Sequence, residues 1–563
     1  MKVVIIGGVA GGATAAARIR RLDEQAEIIV FERSGFISYA NCGLPYYIGG
    51  TIEDEGDLTL QTPESFWSRF KVKMNVHHEV TAIHPENKTV TVKNLENGMV
   101  FTENYDKLLL SPGAKPIKPN FDGADSDKIF TLRTVEDTLK IKKYIDKNHP
   151  KSAVVVGGGF IGIEVTENLR DLGMDVTLVE AAEQLMAPFD SDIASFIHAE
   201  VRKNGVTLML SHFVEGFKDT DCGIDVKLKN APIVHTDMVV MAIGVSPETT
   251  IAKAAGLETG IKDSIVVNDK METSVSDIYA VGDAVQIKNF VTDMDSLLSL
   301  AGPANKQGRI AADNICGGNS RYTGGQGSSV IKIFDMTGAA TGINERTAKS
   351  LGIDADKVIL SPMSHARYYP GGELMTMKVL FEKESYRILG AQIVGFEGVD
   401  KRIDVLATAI RAGMKAYELT ELDLAYAPPY SSAKDPVNMA GYIIENIKDG
   451  IVKQWYYEDS ETLLDDDSVT LLDTRTAMEY NMGHADGFIN IPVDDLRNCI
   501  NELDKSKPVY VMCQSGLRSY IASRILMGNG FDVYNFAGGF RYYDTVHNDK
   551  ALNKKSTPCG MDE

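Results

Sequence analysis

Cysteine is scarce in this sequence, with six among 563 residues, at positions 42, 222, 316, 499, 513 and 559. No two stand at metal-ligand spacing, and the density is far below that of a secreted disulfide scaffold, so a reducing cytoplasmic setting is expected and a metal centre is not. Long apolar runs are missing too. Nothing reaches the roughly 18 residues of a membrane-crossing helix, and the opening "MKVVIIGGVAGGATAAARIR" is broken by glycines and arginines before it can serve as a signal peptide. Positive charge is in deficit, 58 Lys and Arg against 78 Asp and Glu, for a net charge of -20. That balance excludes a phosphate-driven nucleic-acid binder and a general basic membrane patch, leaving small molecules as the expected partners. What remains, 44% apolar and 24% charged residues over a length too great for one core, describes a soluble globular chain of several domains.

The first pattern is a βαβ unit: "KVVIIGG" reads as a buried strand and turn, "ATAAARIRRLD" as a helix and "AEIIVFER" as a second strand. The same grammar returns about 150 residues later in "SAVVVGGGFIGIEVTENLRDLGMDVTLVE". Between them "MNVHHEVTAIHPENKTVTVKN" alternates like antiparallel strands, and "YDKLLLSPGAKP" ends a strand in a Pro-Gly turn. Further on, "DMVVMAIGVSP" and "TSVSDIYAVGDAV" read as strands, the latter closing at Gly282-Asp283. Residues 326–450 mix strands with a helix near 400–413. The acidic "EDSETLLDDDS" marks a boundary before a last α/β pattern from about residue 458.

Both glycine turns are built to receive a pyrophosphate on a helix N-terminus. The first runs Gly7-x-Val9-x-x-Gly12, without the usual middle glycine, and Glu32 ends the following strand where a carboxylate meets ribose hydroxyls. The second is complete, Gly157, Gly159 and Gly162 with Glu180. Ala181 and Ala182 follow where an NADP site often supplies arginine, so NADH is the expected reductant. With these two units in this order, residues 1 to about 450 resemble the pyridine nucleotide-disulfide oxidoreductases. The resemblance implies an α/β fold with two Rossmann-like domains. FAD binds at 1–150 with 272–325 and NADH at 151–271, followed by an α+β dimerisation domain at 326–450 and a homodimer. It assigns Arg33, Ser111, Pro112, Gly113 and Asp283 to FAD, and Phe160, Glu164 and Gly244 to cofactor contacts, Asp283 on the ribityl chain.

"SYANCGLPYYIGG", residues 38–50, carries Cys42 at what reads as a helix start, where the dipole is expected to lower a thiol pKa. Two-cysteine reductases of the family place another thiol about five positions on; Tyr47 stands there. Cys42 must therefore cycle through a sulfenic acid or a mixed disulfide. The stretch is similar to the single-cysteine branch: NADH peroxidases, NADH oxidases and coenzyme A disulfide reductases. "SHARYYPGG" and "LAYAPPYSSAKDP" lack the C-terminal His-Glu pair of the larger reductases and resemble the tyrosine-rich stretches of CoA disulfide reductases, where tyrosines of the second subunit meet the cysteine. Tyr368 and Tyr426 are the best matches, with Tyr369 and Tyr430 as substitutes, and a phenol can donate a proton to a leaving thiolate. Coenzyme A needs cations for its phosphates: Arg18, Arg20, Arg21, Lys71 and Lys73 are candidates, although basic residues on a helix are usually a solvated face. Ser38 and Asn41 are placed to orient its thiol.

"VYVMCQSGLRSYIASRILMGNGF" is a strand, a loop opening with Cys513, and a helix, with Arg518 closing the loop. Such a loop turns its N–H groups inward into an anion-holding nest, although a buried structural cysteine is the plainer alternative. It resembles a rhodanese active site, and "LLDTRTAMEYNMGHADGFINIP" resembles that family's first signature, with Asp473, Arg475, His484 and Pro492. The match spans about 458–550, and a persulfide on Cys513 is implied. The whole is similar to CoA disulfide reductase-rhodanese fusions. The implied activity is NADH-driven reduction, through FAD and Cys42, of CoA persulfide, polysulfide or CoA disulfide. An NADH oxidase or peroxidase, and a redox-sensing sulfur carrier, are the rival expectations. Cys222 and Cys316 read as small buried hydrophobes, and Cys559 as a spare tail thiol.

Overall fold

The apolar runs of the two βαβ units become strands buried on both faces, as parallel strands covered by helices must be: Val3, Val4 and Ile5 of one and Val154 and Val155 of the other are wholly buried. The computed structural model describes residues 1–556; Cys559 lies outside the described residues. The chain forms two compact units, residues 1–181 with 206–325, and 182–205 with 326 onward.

The first unit holds two five-stranded parallel sheets of like topology. One runs in the order Ile278–Ala280, Lys107–Leu110, Lys2–Ile6, Glu27–Phe31, Lys73–Asn75. The other runs Thr207–Met209, Asp175–Val179, Ser152–Val156, Met238–Met241, Ile129–Thr131. In each, the chain leaves the central strand for one side and later returns on the other, which opens a crevice at that strand's carboxyl end. The glycine turns lie at those ends. Helix Ala10–Leu22 packs against Ala301–Ile315 so closely that a Cβ on Gly308 would sit 2.5 Å from the Gly11 carbonyl oxygen. Two three-stranded antiparallel sheets, one of them Val214–Thr220, Gly223–Leu228 and Val234–Thr236, lie in the same unit beside a two-stranded and a mixed three-stranded sheet.

The second unit contains an antiparallel sheet ordered Ser329–Ile333, Met336–Gly342, Ile388–Gly395, Thr376–Glu382, Ala355–Leu360. A parallel sheet follows, ordered Gln454–Trp455, Val533–Phe536, Val509–Met512, Thr470–Asp473, Ile489–Asn490. Residues 182–205 pack within this unit, where they meet a buried ionic cluster. Asp190, Asp192 and Glu345 offer carboxylate oxygens within 4.8 Å of one another, and the ammonium of Lys378, 1% exposed, sits among them. It lies 2.8 Å from Asp192, 3.1 Å from Asp190 and in contact with Glu345. Tyr542 donates its hydroxyl to Asp192 at 2.6 Å, and Lys357 bridges Glu345 and Glu458 at 2.8 and 2.7 Å. His198 accepts the Leu185 N–H on Nε2 and so donates from Nδ1 to Asp549 at 2.8 Å. Among the described residues no helix is long and apolar enough to cross a membrane.

Candidate active sites

Gly7 and Gly157 adopt φ of +98° and +109°, and a Cβ on either would lie 2.1 and 2.4 Å from the carbonyl oxygens of Ser111 and Ala242. Only glycine tolerates both conditions. A Cβ on Gly12 or Gly162 would collide with the Gly7 or Gly157 carbonyl at 1.9 or 1.8 Å, so each helix starts flush against its turn. Glu32 accepts the Gly8 N–H at 2.8 Å and the Ser34 N–H at 2.9 Å; Glu180 accepts the Gly158 N–H at 2.6 Å. The two carboxylates thus flank their loops alike, each beside a helix N-terminus. Gly159 faces open space within 4 Å of where a Cβ would point, and Gly244 holds φ of +109°. These are the donors and clearances two dinucleotides need. Arg33 is half-exposed, 4.0 Å from Glu248.

Cys42 lies in a 3-10 turn, Asn41–Gly43, that runs directly into the short helix Leu44–Gly49 with Pro45 in its first turn. The expected depression of its pKa is corrected: although the residue is exposed, partial enclosure of its sulfur is the first cause that pushes the thiol up, followed by the carboxylate of Glu164, with Arg133 opposing and Asp283 reinforcing. Glu164 is itself pushed up to about 7 by burial and by Glu167, and Tyr46 to about 12 by burial and then Glu164. Glu164→Gln is expected to move the pH profile of Cys42 alkylation to lower pH; an unchanged profile would remove Glu164 from the thiol's field.

Arg133, which the sequence offers only as a lone cation in "FTLRTVED", organises this site. Its Nη2 donates to Asp283 at 2.9 Å and its Nε to the Ala114 carbonyl at 3.1 Å. In the amide orientation that satisfies both ends, Asn41 accepts from Arg133 Nη1 at 2.7 Å and donates to its carbonyl at 2.9 Å. Asp283, assigned to a ribityl chain, is here ion-paired, and its carboxyl is pushed up by burial against the pull of Arg133. Asn41, expected to orient a thiol, is likewise engaged by Arg133. A Cβ on Gly113 would come within 3.2 Å of the same guanidinium. Ser38 holds φ of 44° and donates its N–H to Gly8 O at 2.9 Å, tying the cysteine stretch to the first glycine loop.

Of the cations expected for coenzyme A, Arg20 needs correction. Arg20 is 8% exposed and gives all five N–H groups to carbonyls of Phe70, Asp23, Glu24, Ala26 and Lys71, so none is left for a phosphate. Arg18 is held by Asp313 at 2.8 Å. Arg21 is exposed. Lys71 caps a helix in the left-handed region and reaches over Trp67, and Lys73 is exposed.

In the second unit the hydroxyls of Tyr368 and Tyr426 lie 2.8 Å apart, on exposed side chains; this hydrogen bond pushes the Tyr426 phenol up. Tyr369 instead packs edge-on against His365, and Tyr430 is exposed. His365, within the first tyrosine stretch, lies 3.5 Å from Glu397, which belongs to neither stretch.

Cys513 is 1% exposed, and its Sγ accepts the Gly516 N–H at 3.2 Å and the Ser519 hydroxyl at 3.3 Å. Phe540 N–H donates to the Cys513 carbonyl at 2.7 Å, and a Cβ on Gly539 would strike Gln514 O at 2.6 Å, so the loop is braced from behind. Arg518 stands close enough to Cys513 for their charges to act on each other. It forks onto Glu479 at 2.7 Å on each arm, holding that carboxyl down at about 2. Arg475 is buried in a fork with Asp473, reaches Gln514 at 3.4 Å and stacks on Phe540. His484 stacks on Tyr480 at an exposed edge. Ser519, Glu479 and Phe540 carry no spacing signal of their own in the sequence.

Comparison with known proteins accords with this arrangement. Residues 1–308 match the pyridine nucleotide-disulphide oxidoreductase family, 328–436 its dimerisation domain and 457–545 the rhodanese-like domain. A coenzyme A disulfide reductase of Staphylococcus aureus (strain JH9) is 38% identical over 442 residues, 78% of this chain and 99% of the relative. The reduced CoADR-RHD of Bacillus anthracis is 47% identical with a TM-score of 0.95, covering 97% of this chain and 98% of that one. The NAD-dependent persulfide reductase of A. fulgidus is 36% identical with a TM-score of 0.91, over 96% and 100%. A water-forming NADH oxidase of Lactobacillus brevis is 30% identical with a TM-score of 0.77, over 80% and 100%. With a family match over more than half its length, two like glycine loops and a rhodanese-like domain behind them, the chain belongs to the pyridine nucleotide-disulphide oxidoreductase family.

Proposed function

We propose that this enzyme uses NADH and FAD to reduce CoA persulfide, polysulfide or CoA disulfide at Cys42, and that its rhodanese domain handles sulfane sulfur on Cys513. The observation that carries the reading is the pair of unlike thiols: Cys42 in an open turn with a tyrosine where a resolving cysteine would stand, and Cys513 buried in a loop that donates to its sulfur. Gly7, Gly12, Glu32 and the Ser111–Gly113 turn are the residues to hold FAD, and Gly157, Gly159, Gly162 and Glu180 those to hold NADH. Bound FAD supplies a two-electron relay between NADH and a thiol. The chemistry is nucleophilic: Cys42 Sγ bonds to one substrate sulfur, the S–S bond breaks, and the departing thiolate takes a proton, a task that the resemblance to CoA disulfide reductases leads us to assign to Tyr368 and Tyr426 of the second subunit. At Cys513 the Gly516 N–H and Ser519 hydroxyl stabilise a sulfur anion.

The finer division into FAD (1–150 and 272–325), NADH (151–271), dimerisation (326–450) and rhodanese (458–550) domains belongs to the same reading, as do a homodimer and a cytoplasmic setting. The match to a dimerisation domain supports the dimer. Glu180, bonded to its loop and unfavourable to a 2′-phosphate, leads us to expect kcat/KM for NADH to exceed that for NADPH by on the order of a hundredfold; parity in steady-state kinetics would contradict it.

The test is anaerobic NADH oxidation with CoA disulfide, CoA persulfide, polysulfide or peroxide, recording sulfide release by wild type and Cys513→Ser. Persulfide or polysulfide as the best substrate, with Cys513→Ser impaired for only some sulfur donors, is the expected result. Peroxide as the best substrate, indifferent to Cys513, would favour the oxidase reading that the L. brevis neighbour represents.

A further inference from the structure

A third thiol, chemically separate from Cys42 and Cys513, lies on a small antiparallel sheet of the first unit. Strands Val214–Thr220 and Gly223–Leu228 form a hairpin with Asp221 and Cys222 at its turn, and Val234–Thr236 pairs alongside so that His235 stands directly opposite Asp225. Cys222 was expected to be a buried hydrophobe; the two-residue turn lifts it into solvent and it is exposed. His235 Nδ1 lies 2.8 Å from the Asp225 carboxylate and Nε2 lies 3.6 Å from Cys222 Sγ. A carboxylate only accepts, so Nδ1 carries the imidazole proton and the Nε2 lone pair faces the thiol. The local backbone fits this placement: a Cβ on Gly223 would come within 3.0 Å of His235 Nε2 and 2.4 Å of Thr236 O, so the glycine after the cysteine leaves the imidazole room over the turn. Lys128, bonded to Asp219 at 2.8 Å, stands close enough for its ammonium and Cys222 to act on each other. Nucleophile, base and orienting carboxylate therefore stand in sequence on an accessible edge.

We propose that Cys222, His235 and Asp225 form a thiol–disulfide exchange site at which a low-molecular-weight disulfide converts Cys222 to a mixed disulfide. The Cys222 proton passes to His235 Nε2, and Asp225 holds the imidazolium. The Cys222 sulfur bonds to one sulfur of the disulfide and is oxidised; the disulfide's S–S bond breaks, and its other sulfur leaves reduced, taking the proton from His235. The products are the protein mixed disulfide and one free thiol, with the disulfide as the oxidant. None of the three residues belongs to the cofactor loops or to the Cys42 turn, so the site is independent of the reductase reading.

The experiment exposes the full-length holoenzyme to 2-hydroxyethyl disulfide across a pH series and follows Cys222 occupancy by peptide mass spectrometry. It uses wild type, Cys42→Ser, His235→Gln and Asp225→Asn, with Cys222→Ser as blank. Wild type and Cys42→Ser are expected to react alike. His235→Gln should be slower by at least about tenfold near neutrality, with its profile displaced to higher pH, and Asp225→Asn should fall between. NADH turnover should be unchanged by Cys222→Ser, His235→Gln and Asp225→Asn, which also verifies folding. Equal rates and superimposed pH profiles for wild type and both His235→Gln and Asp225→Asn would overturn the proposal and leave Cys222 an ordinary exposed thiol.

Discussion

Cys42→Ser is expected to lower NADH-driven reduction of CoA disulfide and CoA persulfide by about a thousandfold or more, because a nucleophile has no partial substitute in the unit it serves. Serine has the shape of cysteine and is slightly smaller, but its hydroxyl is a far weaker nucleophile and a mixed disulfide cannot form on it. The substitution leaves the scaffold alone: the bonds from Arg133 to Asp283, Ala114 and Asn41 do not involve the sulfur. Turnover with ferricyanide, an acceptor that needs no thiol, should therefore persist and show that the cofactors are loaded. Retained disulfide reduction in the variant would remove Cys42 from the chemistry.

The second large effect concerns stability. Lys378→Met should cost about 3–5 kcal/mol, the usual result of stripping one partner from a buried ionic cluster, because Asp190, Asp192 and Glu345 would then face one another without their ammonium. The sequence has two tryptophans, Trp67 in the first unit and Trp455, buried, in the second. Denaturant unfolding of a Trp67→Phe background thus reports the second unit through its own fluorophore. The effect should depend on pH with a defined sign. In the wild type Lys378 holds Asp192 below the ordinary aspartate range despite burial, so that contribution is present above the ordinary value and lost as pH falls through the depressed one. Lys378 is raised, first against burial and then by Asp192; its contribution is present below the ordinary lysine value and lost as pH rises through the raised one. In Lys378→Met acidification neutralises the crowded carboxylates, so the gap from wild type should narrow as pH falls. A constant gap would mean that lost packing, and not charge, sets the cost.

The cofactor loops were legible in the sequence because their constraint is local: a glycine that must take positive φ and a carboxylate one strand later have fixed spacing. Cys42 and the Cys513 loop were legible for the same reason. Arg133 was not, since its partners Asn41 and Asp283 are far apart in the chain and nothing near it repeats. Arg20 misled because amphipathic periodicity places a residue on a helix face but does not show a guanidinium folding under the helix end onto five carbonyls. Arg518 had the right spacing, yet its partner Glu479 comes from another helix. Cys222 needed the strand register, which puts His235 opposite Asp225 only once the third strand is paired.

The ionic cluster around Lys378 also bears on how far this chain can be divided. The curated reductases align over 442 residues and 99% of their own length, which invites cutting the gene near residue 450. Such a cut would take Tyr542 from Asp192, Glu458 from Lys357 and Asp549 from both His198 and Arg202. It would also remove the Gly538 carbonyl that accepts the Ser361 hydroxyl at 3.0 Å. The remaining piece would keep buried donors and acids whose partners had left with the deleted part. Loss of function in a truncated protein would therefore report damage to the surviving unit as much as the absence of a sulfurtransferase, and only a one-atom change such as Cys513→Ser separates the two.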